Sequence, residues 1–163
     1  MAAIAFIDLE ASGLNAQSWP IEVGWCLSDG PAQTFLVRPE AAWDRAAWDK
    51  RAEALHGISH ATLLAQGEVP QTICDRLNEA LADRIVYSDA PDWDGFWLYR
   101  LFQAAGLRQT FSLTDFDTVL SGFTEEKIER LIAEATKIAP HRHRAEDDVL
   151  HMRVLHKLAA SRN

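Results

Sequence analysis

The stretch that constrains this chain most is residues 4–14, Ile-Ala-Phe-Ile-Asp-Leu-Glu-Ala-Ser-Gly-Leu. Four consecutive apolar residues, Ile4, Ala5, Phe6 and Ile7, run into Asp8 and Glu10, then into Ser12 and Gly13. An unbroken apolar run suits a strand buried on both faces. Residues two apart on a strand project from the same face, so Asp8 and Glu10 stand side by side. Two carboxylates at the end of a buried strand repel each other and are costly to desolvate unless a positive charge sits between them. A divalent metal ion is the simplest such charge. A solvated strand end before a Ser-Gly turn is the alternative, and the rest of the chain has to separate the two.

A length of 163 residues, 48% of them hydrophobic, suits one domain, residues 1–163, with a sizeable core. Cys26 and Cys74 lie among apolar neighbours, without metal-ligand spacing or a disulfide framework, which makes a reducing, cytoplasmic setting the expectation. No apolar run approaches a membrane span, and the N-terminus lacks the basic flank and small-residue cleavage site of a secretory signal. The net charge of -8 argues against a broad basic surface wrapped around duplex nucleic acid. The charge is uneven: residues 1–123 hold 8 Lys/Arg against 17 Asp/Glu, whereas residues 124–163 hold 8 against 7 and four of the six histidines. An anionic substrate would draw its positive charge from metal ions and this last quarter.

Strands are expected over residues 2–10, 20–27 and 33–37, the first three being antiparallel neighbours, with Ser28-Asp29-Gly30-Pro31 as a turn. Residues 41–55, rich in Ala and charge, read as irregular or helical. Ser59 caps a short helix through Gln66, and apolar spacing predicts a helix over 71–82. Ile85-Val86-Tyr87 reads as a buried strand. A helix over 92–105 carries Trp93, Phe96, Trp97, Leu101 and Ala104 as its core stripe, and Gly106 ends it. A last strand within 110–117 precedes helices over 124–138 and about 144–160. Strands first and then helices alternating with strands give an α/β fold, a mixed sheet flanked by helices. Trp25, Trp93 and Trp97 read as core. Trp19, Trp43 and Trp48 lie in less regular stretches, where a base-stacking platform is the other reading. Leu150 and Val154 read as exposed or core.

Two further places carry candidate chemistry. Asp94 opens the 92–105 helix just after the buried strand, where loops at strand ends hold ligands in α/β sheets, although the helix dipole alone would favour an acid there, and Asp89 and Asp92 are rivals. In His141-Arg142-His143-Arg144-Ala145-Glu146-Asp147-Asp148, Asp148 falls on the core-facing stripe of the last helix and needs a partner. His143 precedes that helix, free to take a proton from a reacting water.

Taken in order, Asp8, Glu10, Asp94, His143 and Asp148 resemble the DEDDh 3′–5′ exonucleases, a family with an RNase H-like fold. The likeness runs across most of the chain. Ser12-Gly13-Leu14 matches the family's small-hydroxyl-Gly-Leu turn, Pro20-Ile21-Glu22-Val23-Gly24 its second strand, and His56-Gly57-Ile58 a substrate-side motif of proofreading members. The sister subgroup has Tyr where this chain has Arg144, so the histidine subgroup is the better match, and the spacing of His141 makes it a poor substitute base. One departure stands out. The family's middle motif, His-Asn-x-x-Phe-Asp, is Asp89-Ala90-Pro91-Asp92-Trp93-Asp94 here.

The resemblance implies a mixed five-stranded sheet and a two-metal hydrolysis of phosphodiester bonds using Mg²⁺ or Mn²⁺. Asp8 would bridge both ions, with Glu10 and Asp148 on the first and Asp94 on the second, and His143 would be the general base. Glu10, Ser12, Gly13, Leu14 and His56 would hold the terminal nucleotide. The implied substrate is single-stranded RNA or DNA, or short oligonucleotides in the manner of ribonuclease T or oligoribonuclease, releasing 5′-mononucleotides. A homodimer or a polymerase partner is compatible with the likeness, and no residue pattern selects either. A catalytically weak or inactive nucleic-acid-binding or assembly protein on the same fold is the rival reading, and a structural metal-binding domain a third.

Overall fold

The apolar run at the start of the chain becomes the middle strand of the molecule's sheet. A computed structural model describes residues 3–162. Its strands are β1 (Ile4–Ala11), β2 (Pro20–Leu27), β3 (Gln33–Leu36), β4 (Ile85–Ser88) and β5 (Leu113–Asp115), in the order β3-β2-β1-β4-β5. β1–β2 and β2–β3 are antiparallel, while β1–β4 and β4–β5 are parallel. This is the expected α/β architecture, a mixed five-stranded sheet flanked by helices.

The helices are α1 (Lys50–His56), α2 (His60–Gln66), α3 (Pro70–Leu81), α4 (Pro91–Ala105), α5 (Asp117–Leu120), α6 (Glu125–Ile138) and α7 (Ala145–Ala160). Ala5, Ile7 and Leu9 of β1 face a core shared with Ile73 and Leu77 of α3 and Leu98 and Leu101 of α4. Phe6, on the opposite face, packs with Leu131 of α6 and Val149 and Met152 of α7. Phe6 and Ile7 are fully buried, each worth roughly 1.5–3 kcal/mol relative to exposure. A one-residue slip of β1 would carry Asp8 into the α3–α4 core, so its register is fixed by burial.

That register sets up the site. Pairing of β1 with β4 ends at Phe6↔Tyr87, whereas pairing with β2 continues to Ala11↔Pro20 through an irregularity between Glu10 and Ala11. Asp8 and Glu10 therefore project beyond the C-terminal end of β4, on the Phe6 side of the sheet, where loops after parallel strands converge.

Several boundaries and faces differ from expectation. β1 starts at Ile4 and runs to Ala11; Ala2 lies outside the described residues. Ile85 opens β4 in solvent rather than buried. The core stripe of α4 is Trp97, Leu98, Leu101 and Phe102. Ala104 is exposed, and Trp93 is 37% exposed in the first turn, stacked on Trp97 at 5.4 Å between centroids. Residues 110–117 supply only the three-residue β5 before α5 begins. Residues 41–55 form an Asp44-capped 3-10 turn, Arg45–Ala47, and most of α1. Trp19 is no stacking platform: it is buried, its indole N–H donates to the Asp44 carbonyl at 3.0 Å, and Trp43 and Trp48 pack on it half-buried. Val154 is half-buried against the α6–α7 core. Among the described residues no helix is long and apolar enough to cross a membrane.

Candidate active site

Four acids from three elements meet beyond the end of β4. Asp8 and Glu10 come from β1, Asp94 from the first turn of α4, and Asp148 from the first turn of α7. Carboxylate oxygens of Asp8, Glu10 and Asp148 lie within 4.8 Å of one another. A second trio, Asp8, Asp89 and Asp94, meets the same 4.8 Å limit, so Asp8 belongs to both. At 4.8 Å an ionised pair repels by about 3 kcal/mol at an effective dielectric near 20. Asp8 is 7% exposed, and its Oδ2 is buried without a hydrogen-bond partner. A buried oxygen left this way costs stability unless something binds it. All-oxygen, all-carboxylate donor sets suit hard divalent cations such as Mg²⁺ or Mn²⁺, and the two trios could hold such ions.

The electrostatics follow from burial and crowding. Burial raises the Asp8 carboxyl well above its ordinary range, and Asp94, Glu10, Asp148 and Asp89 push it further. Glu10 is pushed up to about 8 by burial, then by Asp148 and Glu22. Asp94 rises to about 7 through burial, opposed by the Ser88 hydroxyl, which donates to Asp94 Oδ2 at 2.5 Å.

α7 is aimed at this point by β2. Glu22 sits opposite Glu10 in the β1–β2 register. Its Oε1 accepts from the Ala145 N–H at 2.9 Å, and its Oε2 pairs with Arg144 Nε at 2.7 Å. A carboxylate from another strand thus does the work of an N-cap, since α7 has no side-chain cap of its own. Gly24 makes the close approach of the helix feasible: a Cβ there would sit 2.8 Å from the Ala145 Cβ. Asp148 Oδ1 is fixed by His141 Nδ1 at 3.0 Å and by the Arg142 N–H at 3.3 Å. His141 is therefore engaged with an acid of the cluster.

His143 is exposed just before α7 and adopts φ 54°, a left-handed conformation uncommon for a side-chain-bearing residue. It lines a pocket of about 420 Å³ together with Glu10, Gly13, Leu14, Arg51, Leu55 and His56. Leu14 is 69% exposed there. A Cβ on Gly13 would meet Asn15 and Asp49 at 3.1 Å, so this wall admits no larger residue without movement. His56 is buried, its Nδ1 accepting from the Ile58 N–H at 3.0 Å, which places the neutral ring's proton on Nε2. Ser12 departs from expectation. It is fully buried, its hydroxyl accepts from the Trp19 N–H at 3.0 Å, its own N–H donates to Trp19 and its carbonyl accepts from Asp49. Its hydrogen-bonding groups close the loop instead of facing the pocket.

Asp89 is the cluster member that the sequence left as a rival to Asp94. The available signal was its place directly after the last residue of β4.

Against solved structures, the chain matches exonuclease I. A crystal structure of E. coli exonuclease I in complex with a dT13 oligonucleotide superposes with a TM-score of 0.75 at 16% identity, over 99% of this chain and 42% of that one. This chain shares its fold with exonuclease I. The zinc-ion-bound form of the E. coli ExoI–ssDNA complex gives a TM-score of 0.76 at 16% identity, covering 100% of this chain and 41% of that one. A moderately thermophilic exonuclease I from Methylocaldum szegediense gives 0.77 at 17%, again over 100% and 41%. The chain thus spans about two fifths of the length of the exonuclease I chains it matches. No family model matches the chain, and no curated protein does. The RNase H-like fold implied by the sequence resemblance is the exonuclease I fold.

Proposed function

We propose that the chain is a metal-dependent 3′–5′ exonuclease of single-stranded nucleic acid that releases 5′-mononucleotides. The observation that carries this reading is the pair of carboxylate trios sharing Asp8, whose Oδ2 is buried and unpartnered. Asp8, Glu10 and Asp148 would hold one divalent ion, Mg²⁺ or Mn²⁺, and Asp8 with Asp94 the other; such ions would supply an activated water and charge stabilisation on the leaving oxygen. His143, exposed at the pocket rim, takes the proton of the attacking water. The pocket beside Glu10 receives the terminal nucleotide, with Leu14 and Leu55 against its base, Arg51 supplying positive charge, and His56 behind them. The oligonucleotides in the E. coli exonuclease I crystals support a single-stranded substrate.

The test is a gel assay with 5′-labelled single-stranded RNA and DNA, each with Mg²⁺, Mn²⁺ or EDTA. The expected result is a metal-dependent ladder descending from the 3′ end, lost in Asp8→Ala and His143→Ala. Oligonucleotide binding with no shortening under any metal would replace the enzyme by the nucleic-acid-binding reading.

A further inference from the structure

The second trio contains a residue for which the sequence resemblance provides no role. Where the resembling family has the His of His-Asn, this chain has Asp89. Ser88, fully buried at the end of β4, donates its hydroxyl to Asp94 and accepts the Ala90 N–H at 3.1 Å, which fixes the turn that carries Asp89. A carboxylate oxygen of Asp89 thereby lies within 4.8 Å of those of both Asp8 and Asp94. The side chain reaches solvent, yet burial of its carboxyl against the cluster raises it above its ordinary value, so its negative charge is placed there at a desolvation cost, as is that of Asp94, which is 1% exposed.

Asp89 is no bystander in an acidic patch, because the same trio contains the unpartnered, buried Oδ2-bearing carboxylate of Asp8. Mg²⁺ sites in phosphoryl-transfer enzymes commonly use one or two carboxylates and rely on substrate phosphate for the rest. Asp8 and Asp94 alone would make such a site, with Asp8 shared. We infer that Asp89 is a third carboxylate ligand of the second divalent ion, and that it makes this ion resident on the protein before any nucleic acid binds.

The inference rests on the exonuclease reading's metal centre, and its test separates the two. Mn²⁺ alone is titrated calorimetrically, and by electron paramagnetic resonance of the free ion, into the full chain without nucleic acid. Wild type, Asp89→Asn, Asp89→His and, as a charge control, Asp92→Asn are compared. The exposed Asp89 tolerates Asn without disturbing the fold, and a melting curve on each variant checks this. The expected outcome is two bound ions in wild type and Asp92→Asn. The second ion should be weakened by at least about tenfold in Asp89→Asn and Asp89→His, with the first unchanged. Two ions of unaltered affinity in both Asp89 variants would overturn the inference and leave the metal centre standing. So would a single ion in wild type, since the second would then arrive only with substrate. No bound ion in wild type would overturn both the inference and the centre it rests on.

Discussion

Glu22 and Asp8 are both buried carboxylates on neighbouring strands of one sheet, and the structure treats them in opposite ways. Glu22 has an oxygen on the Ala145 N–H and an oxygen on Arg144. Burial raises its carboxyl, but the Arg144 side chain pulls it back. Asp8 has a buried oxygen with no partner and four further acids around it. A carboxylate that is satisfied by its own chain holds the fold together. One that is left unsatisfied among like charges could hold a cation. The difference teaches where to look: the paired acid sets the position of α7, and the unpaired one receives what α7 delivers, Asp148.

The contrast can be broken most sharply at Asp8. Asp8→Asn should abolish turnover in the oligonucleotide assay while raising the melting temperature of the metal-free protein, because it removes a buried charge from the cluster. The Mn²⁺-induced rise in melting temperature seen with wild type should vanish in the same variant. A metal-free Asp8→Asn protein less stable than wild type would mean that Asp8 is paired after all.

His143→Ala is expected to lower turnover by about 10²–10⁴-fold, the usual worth of a general base, with Mn²⁺ affinity and melting temperature unchanged. His143→Gly should be equally inactive but more stable by about 1 kcal/mol, since glycine relieves the left-handed backbone. Chemical denaturation of the two variants side by side checks this.

Glu22→Ala acts on the other half of the comparison. It leaves the buried Ala145 N–H without an acceptor and frees Arg144 to solvent, for an expected loss of about 2–4 kcal/mol in urea unfolding. Activity should fall only as far as α7 shifts. A fully stable Glu22→Ala protein would remove the distinction between the two carboxylates.

The mildest effect is on pH. Glu10, ordinarily near 4.5, is pushed up to about 8, and Asp94, ordinarily 3.8, to about 7. Between these values the folded, metal-free protein keeps protons that the unfolded chain has lost. Stability is therefore highest below about pH 4 as far as these groups contribute, and it declines as pH rises toward 8. Saturating Mn²⁺ displaces those protons and should flatten or reverse the decline. Melting curves across pH 5–8 with EDTA or Mn²⁺ show the sign directly.

Much of this was legible in residue order. Asp8 and Glu10 were placed on one face by strand periodicity, and Asp148 on the inner face of α7 by helical spacing, because both rules depend only on local geometry. Their convergence followed from a resemblance spread over the chain. What stayed hidden depended on tertiary pairing. The place of Asp89 directly after β4 is a signal, but by itself it does not choose Asp89 over Asp92; a turn held by Ser88 directs Asp89 to the cluster, whereas Asp92 is exposed on α4. Ser12 reads as a ligand-side hydroxyl until its link to Trp19, seven residues on, is seen. Trp93 fits the helical stripe of α4 by spacing, but it lies in the first turn, where it stacks on Trp97 and stays part-exposed. Glu22, whose partner helix begins more than a hundred residues later, reads in sequence only as part of a strand.

The most direct test is a crystal grown with Mn²⁺ and no nucleic acid, with an anomalous difference map calculated at the manganese edge. The predicted map has two peaks flanking Asp8, one among Asp8, Glu10 and Asp148 and the other among Asp8, Asp89 and Asp94, and none at Glu22. A map without density beside Asp8 would contradict the account.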